Sequence, residues 1–449
     1  MARVLDQGSR LSAVRLASLH AACDVLGLDS FDEDDLYANL DWLDAQQADI
    51  EQRLFKQHPP AFAPGLFLYD VTSSYLEGRD NVFGAFGYNR DGKRGKRQIV
   101  IGLLCDSQGH PLSIEVFPGN TQDLTTFSSQ IDKVAQRFGG GAITFVGDRG
   151  MIKTPQINAL GEKQFHYITA ITKPQIETLL TQGTFQMTLF DAPLAEITTP
   201  EGERYILRRN PLRAQEIAAS REDKYRTLRN AVAIANQYLA THQRANPTLA
   251  LEKLTRRAQQ LRIHPWTTLT LEHRTLRVGK NTHALAGSAK LDGCYVLKTD
   301  LPASAASKEL IHERYKDLAL VEWAFRESKT VHLEMRPIYV RLEMLAYLII
   351  HALAKRWAAL DLTVQEALNQ LATLCLTEVH VPHQPIAYQI PSPRDTVQQL
   401  FDAATVHLPN KLPRRGVVVT TKTKLLIVEN QNKQRVFTRL HHQQKEHPL

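Results

Sequence analysis

The sequence predicts a mixed α/β protein, and three observations carry that expectation. An Ala- and Leu-rich helical opening gives way to short apolar strands, strand-like and helical segments then alternate, and a long apolar helical pattern returns late in the chain. At 449 residues there is room for two to four structural units of roughly 100–200 residues each. Hydrophobic residues make up 43% and charged residues 22%, the balance of a globular chain with a sizeable core. No apolar run approaches the roughly 18–20 residues of a membrane span, and Met1 is not followed by a secretory apolar segment. Cys23, Cys105, Cys294 and Cys375 stand far apart with no C-x-x-C pair. That spacing argues against structural zinc or a disulfide framework and for a reducing cytoplasm. A membrane protein, a secreted mini-domain and a disordered tail are excluded on these grounds.

The elements follow in order. Residues 1–58 read as helical, with Asp32 or Asp34 as a helix cap, Leu36, Leu40 and Leu43 at helical spacing, and His58-Pro59-Pro60 as a stop. Strands are expected at Leu66–Thr72, at Gln98–Cys105 and at Pro111–Phe117, the last two joined by the turn residues Asp106-Ser107-Gln108-Gly109. A helix capped by Thr121 or Asp123 runs to about Phe138 and ends at Gly139-Gly140-Gly141. Further strands are expected at Ala142–Val146, leading straight into Gly147-Asp148-Arg149-Gly150, and at His166–Ile171.

Residues 175–300 mix strand-like pieces with a basic helical stretch from about Ala214 to Arg262, broken at Asn246-Pro247. The block reads as an insertion, because a helix with core character resumes at Ser307 and runs through Lys329. A long apolar helix follows from about Tyr339 to Leu360, then a Pro-rich linker after Val379 and basic strands around Val417 and Leu425. Three strands in a meander followed by strand–helix units is the order of a ribonuclease H-like fold. The expected organisation is thus a helical N-terminal region (1–60), a core in two parts (61–174 and 301–360) interrupted by a mixed, largely β insertion (175–300), and a basic C-terminal region (361–449).

Lys plus Arg number 54 against 47 Asp plus Glu, a net charge of +7 and a pI near 9.1, which favours a polyanionic partner. The excess is local. From Lys411 onward there are nine Lys/Arg and two Asp/Glu, and Arg90–Arg97 (RDGKRGKR) forms a second basic cluster in a Gly-rich loop ahead of a strand. By contrast, Asp29–Glu51 holds nine acidic residues and no Lys or Arg, which suits packing or self-association better than a DNA surface.

Three carboxylates stand out. Asp70 sits inside an apolar strand, where an ionised side chain is costly without a partner; hydrogen bonding in a turn with Thr72 or Ser73 is the bland alternative. Asp148 directly follows a strand, at the kind of strand end where reactive groups collect, or else is a turn residue paired with Arg149. Glu322 is mid-helix; seven residues turn through about 700°, so Tyr315, Glu322 and Lys329 share one stripe, with Arg326 one turn beyond Glu322. A surface Glu322–Arg326 pair is the plainer reading. Together the three could cage hard divalent cations, which take oxygen ligands and bridge phosphates. Arg326 and Lys329 would then hold the phosphates of the scissile strand.

At these residues the chain resembles DDE-type insertion-sequence transposases, in the group that carries a Tyr-x2-Arg-x3-Glu-x6-Lys signature and a β insertion domain. Tyr315, Glu322 and Lys329 stand at the signature spacings, supported by Tyr69-Asp70-Val71-Thr72-Ser73, Gly119-Asn120-Thr121, Gly147-Asp148-Arg149-Gly150, Phe325-Arg326-x2-Lys329 and Arg336-Pro337. The likeness covers about residues 60–355. One position departs: Leu318 stands where the signature has Arg, and Arg314 or Arg326 could substitute for it.

The resemblance implies a ribonuclease H-like core whose Asp70, Asp148 and Glu322 hold Mg2+ (or Mn2+), two ions per site. It also implies an enzyme that cleaves and joins double-stranded DNA at terminal inverted repeats, with a hairpin intermediate in part of the group. Tyr315, Arg326, Lys329, Arg149, Lys93, Arg94, Lys96 and Arg97 are the expected DNA contacts. A homodimer is expected when two ends are paired, in a bacterial, nucleoid-associated cytoplasmic setting. Two alternatives stay open: a ribonuclease H-like endonuclease without strand transfer, and a catalytically silent DNA-binding descendant.

Overall fold

The computed structural model describes residues 2–409 except 6–7, 29, 58–64, 79, 91, 94, 139–142, 332–339 and 384–386. Arg94, Arg336, Pro337 and the basic segment from Lys411, with the strands expected around Val417 and Leu425, lie outside the described residues. Five helices open the chain: α1 (Ala2–Leu5), α2 (Arg10–Leu19), α3 (Ala22–Leu26), α4 (Glu33–Ala45) and α5 (Gln47–Gln57). Asp32 caps α4 as expected. Its carboxylate accepts from the Asp34 and Asp35 amides, while Asp35 accepts from the Asp32 amide, so the acidic start satisfies its own orphan donors.

Strand β1 (Gly65–Leu76) is longer than expected and two thirds of it is buried, in two runs of four consecutive residues, the pattern of a strand covered on both faces. β2 (Arg97–Cys105) and β3 (Pro111–Pro118) form an antiparallel hairpin. Asp106 builds its turn by accepting from the Gln108 amide at 2.8 Å and the His110 amide at 2.9 Å. α6 (Asp123–Arg137) begins one residue away from both predicted caps: Gln122 holds that position without a side-chain bond. Thr121 instead closes a turn onto the Pro118 carbonyl, and Asp123 is the first helical residue, where its charge favours the helix dipole. β4 (Ile143–Gly147), α7 (Thr154–Glu162), β5 (His166–Ala170) and α8 (Lys173–Thr181) complete the first half.

The block expected to be a largely β insertion is corrected by the structure, which is richer in helix. It contains β6 (Ala195–Thr198), β7 (Arg204–Arg209), α9 (Pro211–Thr241), α10 (Pro247–Gln260), β8 (Thr267–Glu272), β9 (Thr275–Lys280), α11 (Thr282–Ala289) and β10 (Cys294–Thr299). Asn246 and Pro247 break the basic helical stretch as expected, with Asn246 capping α10. The β8–β9 hairpin packs with α9 and α10 around a separate core of Leu228, Val232, Leu254, Trp266 and Leu276.

α12 (Lys308–Lys316) starts at Ser307, whose hydroxyl accepts from the Leu310 amide. The single helix expected to reach Lys329 is interrupted: a turn residue, Asp317, precedes α13 (Leu318–Arg326), and Glu327–Val331 forms a π turn. α14 (Val340–Trp357), α15 (Val364–Leu371), the short pair β11 (Thr377–Val379) and β12 (Ala387–Gln389), and α16 (Asp395–Ala404) close the described chain.

The large sheet has the strand order β3-β2-β1-β4-β5-β10-β7-β6. The chain divides into two compact units, one comprising residues 1–59, 71–121 and 320–449, the other residues 60–70 and 122–319. In the first, α5 anchors to β3 through buried Glu51, which accepts from the Ser113 hydroxyl at 2.8 Å and from the Ile114 amide. In the second, β1 pairs with β4 and β4 with β5, all parallel, and an aromatic core of Phe67, Tyr69, Phe127 and Phe145 lies beneath them. Antiparallel β10, β7 and β6 extend that sheet. Among the described residues no helix is long and apolar enough to cross a membrane.

Candidate active site

The two aspartates are set by strand register. Tyr69 of β1 lies opposite Gly147 of β4 in a parallel pair, so Asp70, within β1, and Asp148, just past β4, each follow the last paired position of two strands that lie roughly 4.8 Å apart. Asp70 is half-buried and Asp148 exposed. The sequence folds this way because Leu66–Tyr69 and Ile143–Val146 are buried apolar runs that pair strand to strand. The crossover helix α6 between them supplies Phe127 to the core; its ring lies 5.8 Å from Tyr69 and 5.5 Å from Phe145. Gly147 permits close packing: a Cβ there would stand 3.0 Å from the Ile152 side chain, which would have to give by a few tenths of an ångström.

Asp148 also takes part in a turn. Its Oδ1 accepts from the Arg149 amide at 2.8 Å, and its carbonyl accepts from the Met151 amide. The turn reading is therefore real, but it runs through the Arg149 backbone. The same Oδ1 accepts from the Tyr315 hydroxyl at 3.3 Å. α12 packs on β4 and β5, which brings Tyr315 to Asp148 across 167 positions of sequence. Arg314 is engaged with Asp317 at 3.1 Å, and burial raises the Asp317 carboxyl above its ordinary value against the pull of that guanidinium. Leu318 is buried, as suits an apolar residue at this position.

In the other unit, α13 buries Val321, Ala324 and Phe325 while Glu322 and Arg326 are exposed. Trp323 stacks edge-on against Tyr347 and His351 of α14, and Leu320 meets Gly109 of the β2–β3 turn, whose φ of +78° favours glycine. Lys329, in the π turn, donates to the Ser73 carbonyl at 2.6 Å and the Thr72 hydroxyl at 3.2 Å. Its ammonium thus reaches β1 two and three residues past Asp70. Single π turns of this kind occur often at functional sites.

The remaining expected DNA contacts are spread over the basic loop. Lys96 pairs with Glu77 at 2.5 Å, the Lys93 ammonium lies 5.6 Å from the Tyr75 ring centre, and the Arg97 guanidinium lies 5.8 Å from that of Phe86. Sequence reasoning missed the aromatic residues of this loop; Phe83-Gly-Ala-Phe86-Gly-Tyr88 just ahead of the charge run was the available signal.

Asp70 and Asp148 offer carboxylate oxygens, the ligand type that hard cations take. Among the described residues, no group of three or more His, Cys, Asp or Glu side chains stands close enough together to hold an ion. The structure therefore brings together Asp70, Asp148 and Tyr315 in one unit, and Lys329, Thr72 and Ser73 in the other.

Residues 62–354 match the model of the family described as Transposase DDE domain. No curated protein matches. Among solved structures, a piggyBac transposase synaptic complex with hairpin DNA is similar at 8% identity and a TM-score of 0.33, over 75% of this chain and 51% of that one. A Mos1 transposase paired-end complex with left transposon end is similar at 11% identity and a TM-score of 0.17, over 27% of this chain and 39% of that one. The chain thus spans about half the length of the first and less of the second.

Proposed function

This chain belongs to the Transposase DDE domain family, and on that premise we propose that it cleaves and joins DNA at the terminal inverted repeats of an insertion sequence. The observation that supports the proposal is the register of β1 with β4, in which Asp70 and Asp148 each follow the last paired residues, Tyr69 and Gly147. The strand order β3-β2-β1-β4-β5 supports a ribonuclease H-like core in two parts, 61–174 and 301–360, interrupted by 175–300.

In this reading Asp70, Asp148 and Glu322 would hold Mg2+ or Mn2+, two ions per site. Bound there, the ions supply Lewis-acid activation of the attacking water or 3′-hydroxyl and stabilise the leaving oxygen. The chain's own groups do the rest. Tyr315 orients Asp148 through its hydroxyl. Lys329 fixes the β1 backbone beyond Asp70. Arg149, Arg326 and the cations of the 90–97 loop meet the phosphates of double-stranded DNA, with steep salt dependence. Two copies would pair two ends, in a bacterial cytoplasm.

The test is cleavage and joining of an oligonucleotide duplex carrying the element's own end. Asp148→Asn should abolish cleavage while end binding survives; unchanged cleavage would remove Asp148 from the mechanism. Joined products separate a transposase from an endonuclease that only cuts. Cleavage absent at every metal concentration, with intact binding, would mark a silent DNA-binding protein.

A further inference from the structure

The loop between β1 and β2 holds large apolar side chains out in water. Phe86 is 65% exposed, Tyr88 82% and Phe83 42%, a local concentration of apolar surface that calls for a partner. The backbone beneath them is held in place. Ala85 and Gln98 exchange two backbone hydrogen bonds at 2.9 and 3.1 Å, and the Gly119 amide donates to the Phe83 carbonyl at 2.9 Å. The buried Gln98 amide donates to the Tyr88 carbonyl at 3.0 Å and to the Gly119 carbonyl at 2.7 Å. Gly87 rides directly on Gly119, whose carbonyl would lie 2.1 Å from a Cβ at position 87. The rings therefore stand on a braced support, which lowers the ordering cost of engaging a partner.

Each of two rings also carries a guanidinium nearby. Arg97 lies 5.8 Å from the Phe86 centroid and Arg90 5.9 Å from the Tyr88 centroid, both within cation–π range. A ring that is mostly in water and has a cation near it can offer open surface to a flat, neutral group carried on a polyanion. A duplex hides its base faces, and an apolar protein surface gains nothing from the cations. We propose that Phe86 and Tyr88, with Phe83 beside them, form a stacking platform for unpaired bases of DNA, with Arg90 and Arg97 near the adjoining phosphates. The inference deepens the proposed function and rests on its assignment of DNA as the partner.

The experiment compares the full chain's affinity for a 12-residue oligothymidylate with that for an abasic oligomer of equal length and charge. The thymidylate should bind tighter by on the order of tenfold for each base stacked. Phe86→Ala with Tyr88→Ala should erase that preference and leave the affinity and salt slope for the abasic oligomer unchanged. Because both rings are exposed, the variant should fold, and Tyr88→Trp should retain the preference. Equal affinity for the two oligomers in the unaltered protein would overturn the platform. So would a preference that survives the double substitution, or an equal loss of affinity for both. Asp148→Asn should leave the preference intact, so a failure of cleavage counts against the proposed function and a failure of base preference against the platform.

Discussion

Lys329 offers a perturbation whose size follows from its contacts. Its ammonium donates to the Ser73 carbonyl at 2.6 Å and the Thr72 hydroxyl at 3.2 Å, and both partners are buried. Hydrogen bonds from a charged group contribute roughly 1.5–3 kcal/mol. The short bond to Ser73 carries most of this, because the carbonyl loses a partner on deletion and the Thr72 hydroxyl can rotate. Lys329 is itself half-exposed, so Lys329→Met is expected to cost about 1.5–2 kcal/mol. The assay is urea unfolding followed by far-UV circular dichroism, read together with DNA affinity across a salt series. The midpoint should fall and the salt slope should stay the same, because the lysine holds β1 and does not grip a phosphate. Cleavage should fall further than binding, since the strand it fixes carries Asp70. An unchanged midpoint with a salt slope shallower by about 0.9, the contribution of one phosphate contact, would place Lys329 on a phosphate instead.

Three more outcomes follow from other parts of the molecule. Arg204 is 2% exposed; it donates to Glu196 at 2.6 Å and to the buried carbonyls of Leu301 and Ala306. Arg204→Ala should therefore lower unfolding stability by about 3 kcal/mol, with Arg204→Met recovering only the packing share. A Cβ at Gly119 would lie 1.9 Å from the Gln98 carbonyl oxygen and 2.6 Å from that of Ala85, so Gly119→Ala should cost toward the upper end of roughly 1–3 kcal/mol in the same urea assay. Buried His312 accepts through Nε2 from Tyr295 and from Arg208 at 2.8 Å, and burial, then Lys316 and Arg208, depress its pKa. The unfolded chain then binds the extra proton more readily, so stability is full above about pH 6.5 and declines as pH falls below it. His312→Gln should flatten that acid limb of the melting temperature.

The local elements were largely legible, for reasons visible in single residues. Asp32 and Ser307 announced helix starts by their capping chemistry, and Asp106-Ser-Gln-Gly announced a hairpin. Asp70 and Asp148 were conspicuous because a charge at the end of an apolar strand needs a destination, and the register of β1 with β4 sets them side by side. What escaped is non-local. Nothing near His166–Ala170 reports that its neighbour in the sheet is Cys294–Thr299, so the joining of β10, β7 and β6 to the large sheet was not legible. The strand-like pieces of the 175–300 block include the β8–β9 hairpin, but they weigh less in it than the 31-residue α9. Helical spacing carried Tyr315, Glu322 and Lys329 along one stripe, whereas the turn at Asp317 and the π turn at Glu327–Val331 break the regular count. The Tyr315–Asp148 bond depends on how α12 packs against β4, which no local pattern encodes.

If the Asp148 carboxylate is a ligand for the cation that drives strand cleavage, exchanging its oxygen for another ligand atom changes which metal supports the reaction. Asp148→Cys places a soft sulfur where an oxygen stood, and hard Mg2+ accepts sulfur poorly while Mn2+ tolerates it better. Measured on one transposon-end duplex, cleavage by this variant should be lost in Mg2+ and at least partly restored in Mn2+, with DNA affinity unchanged. Cleavage that is equal in the two metals, at the level of the unaltered protein, would remove Asp148 from the cation's ligands.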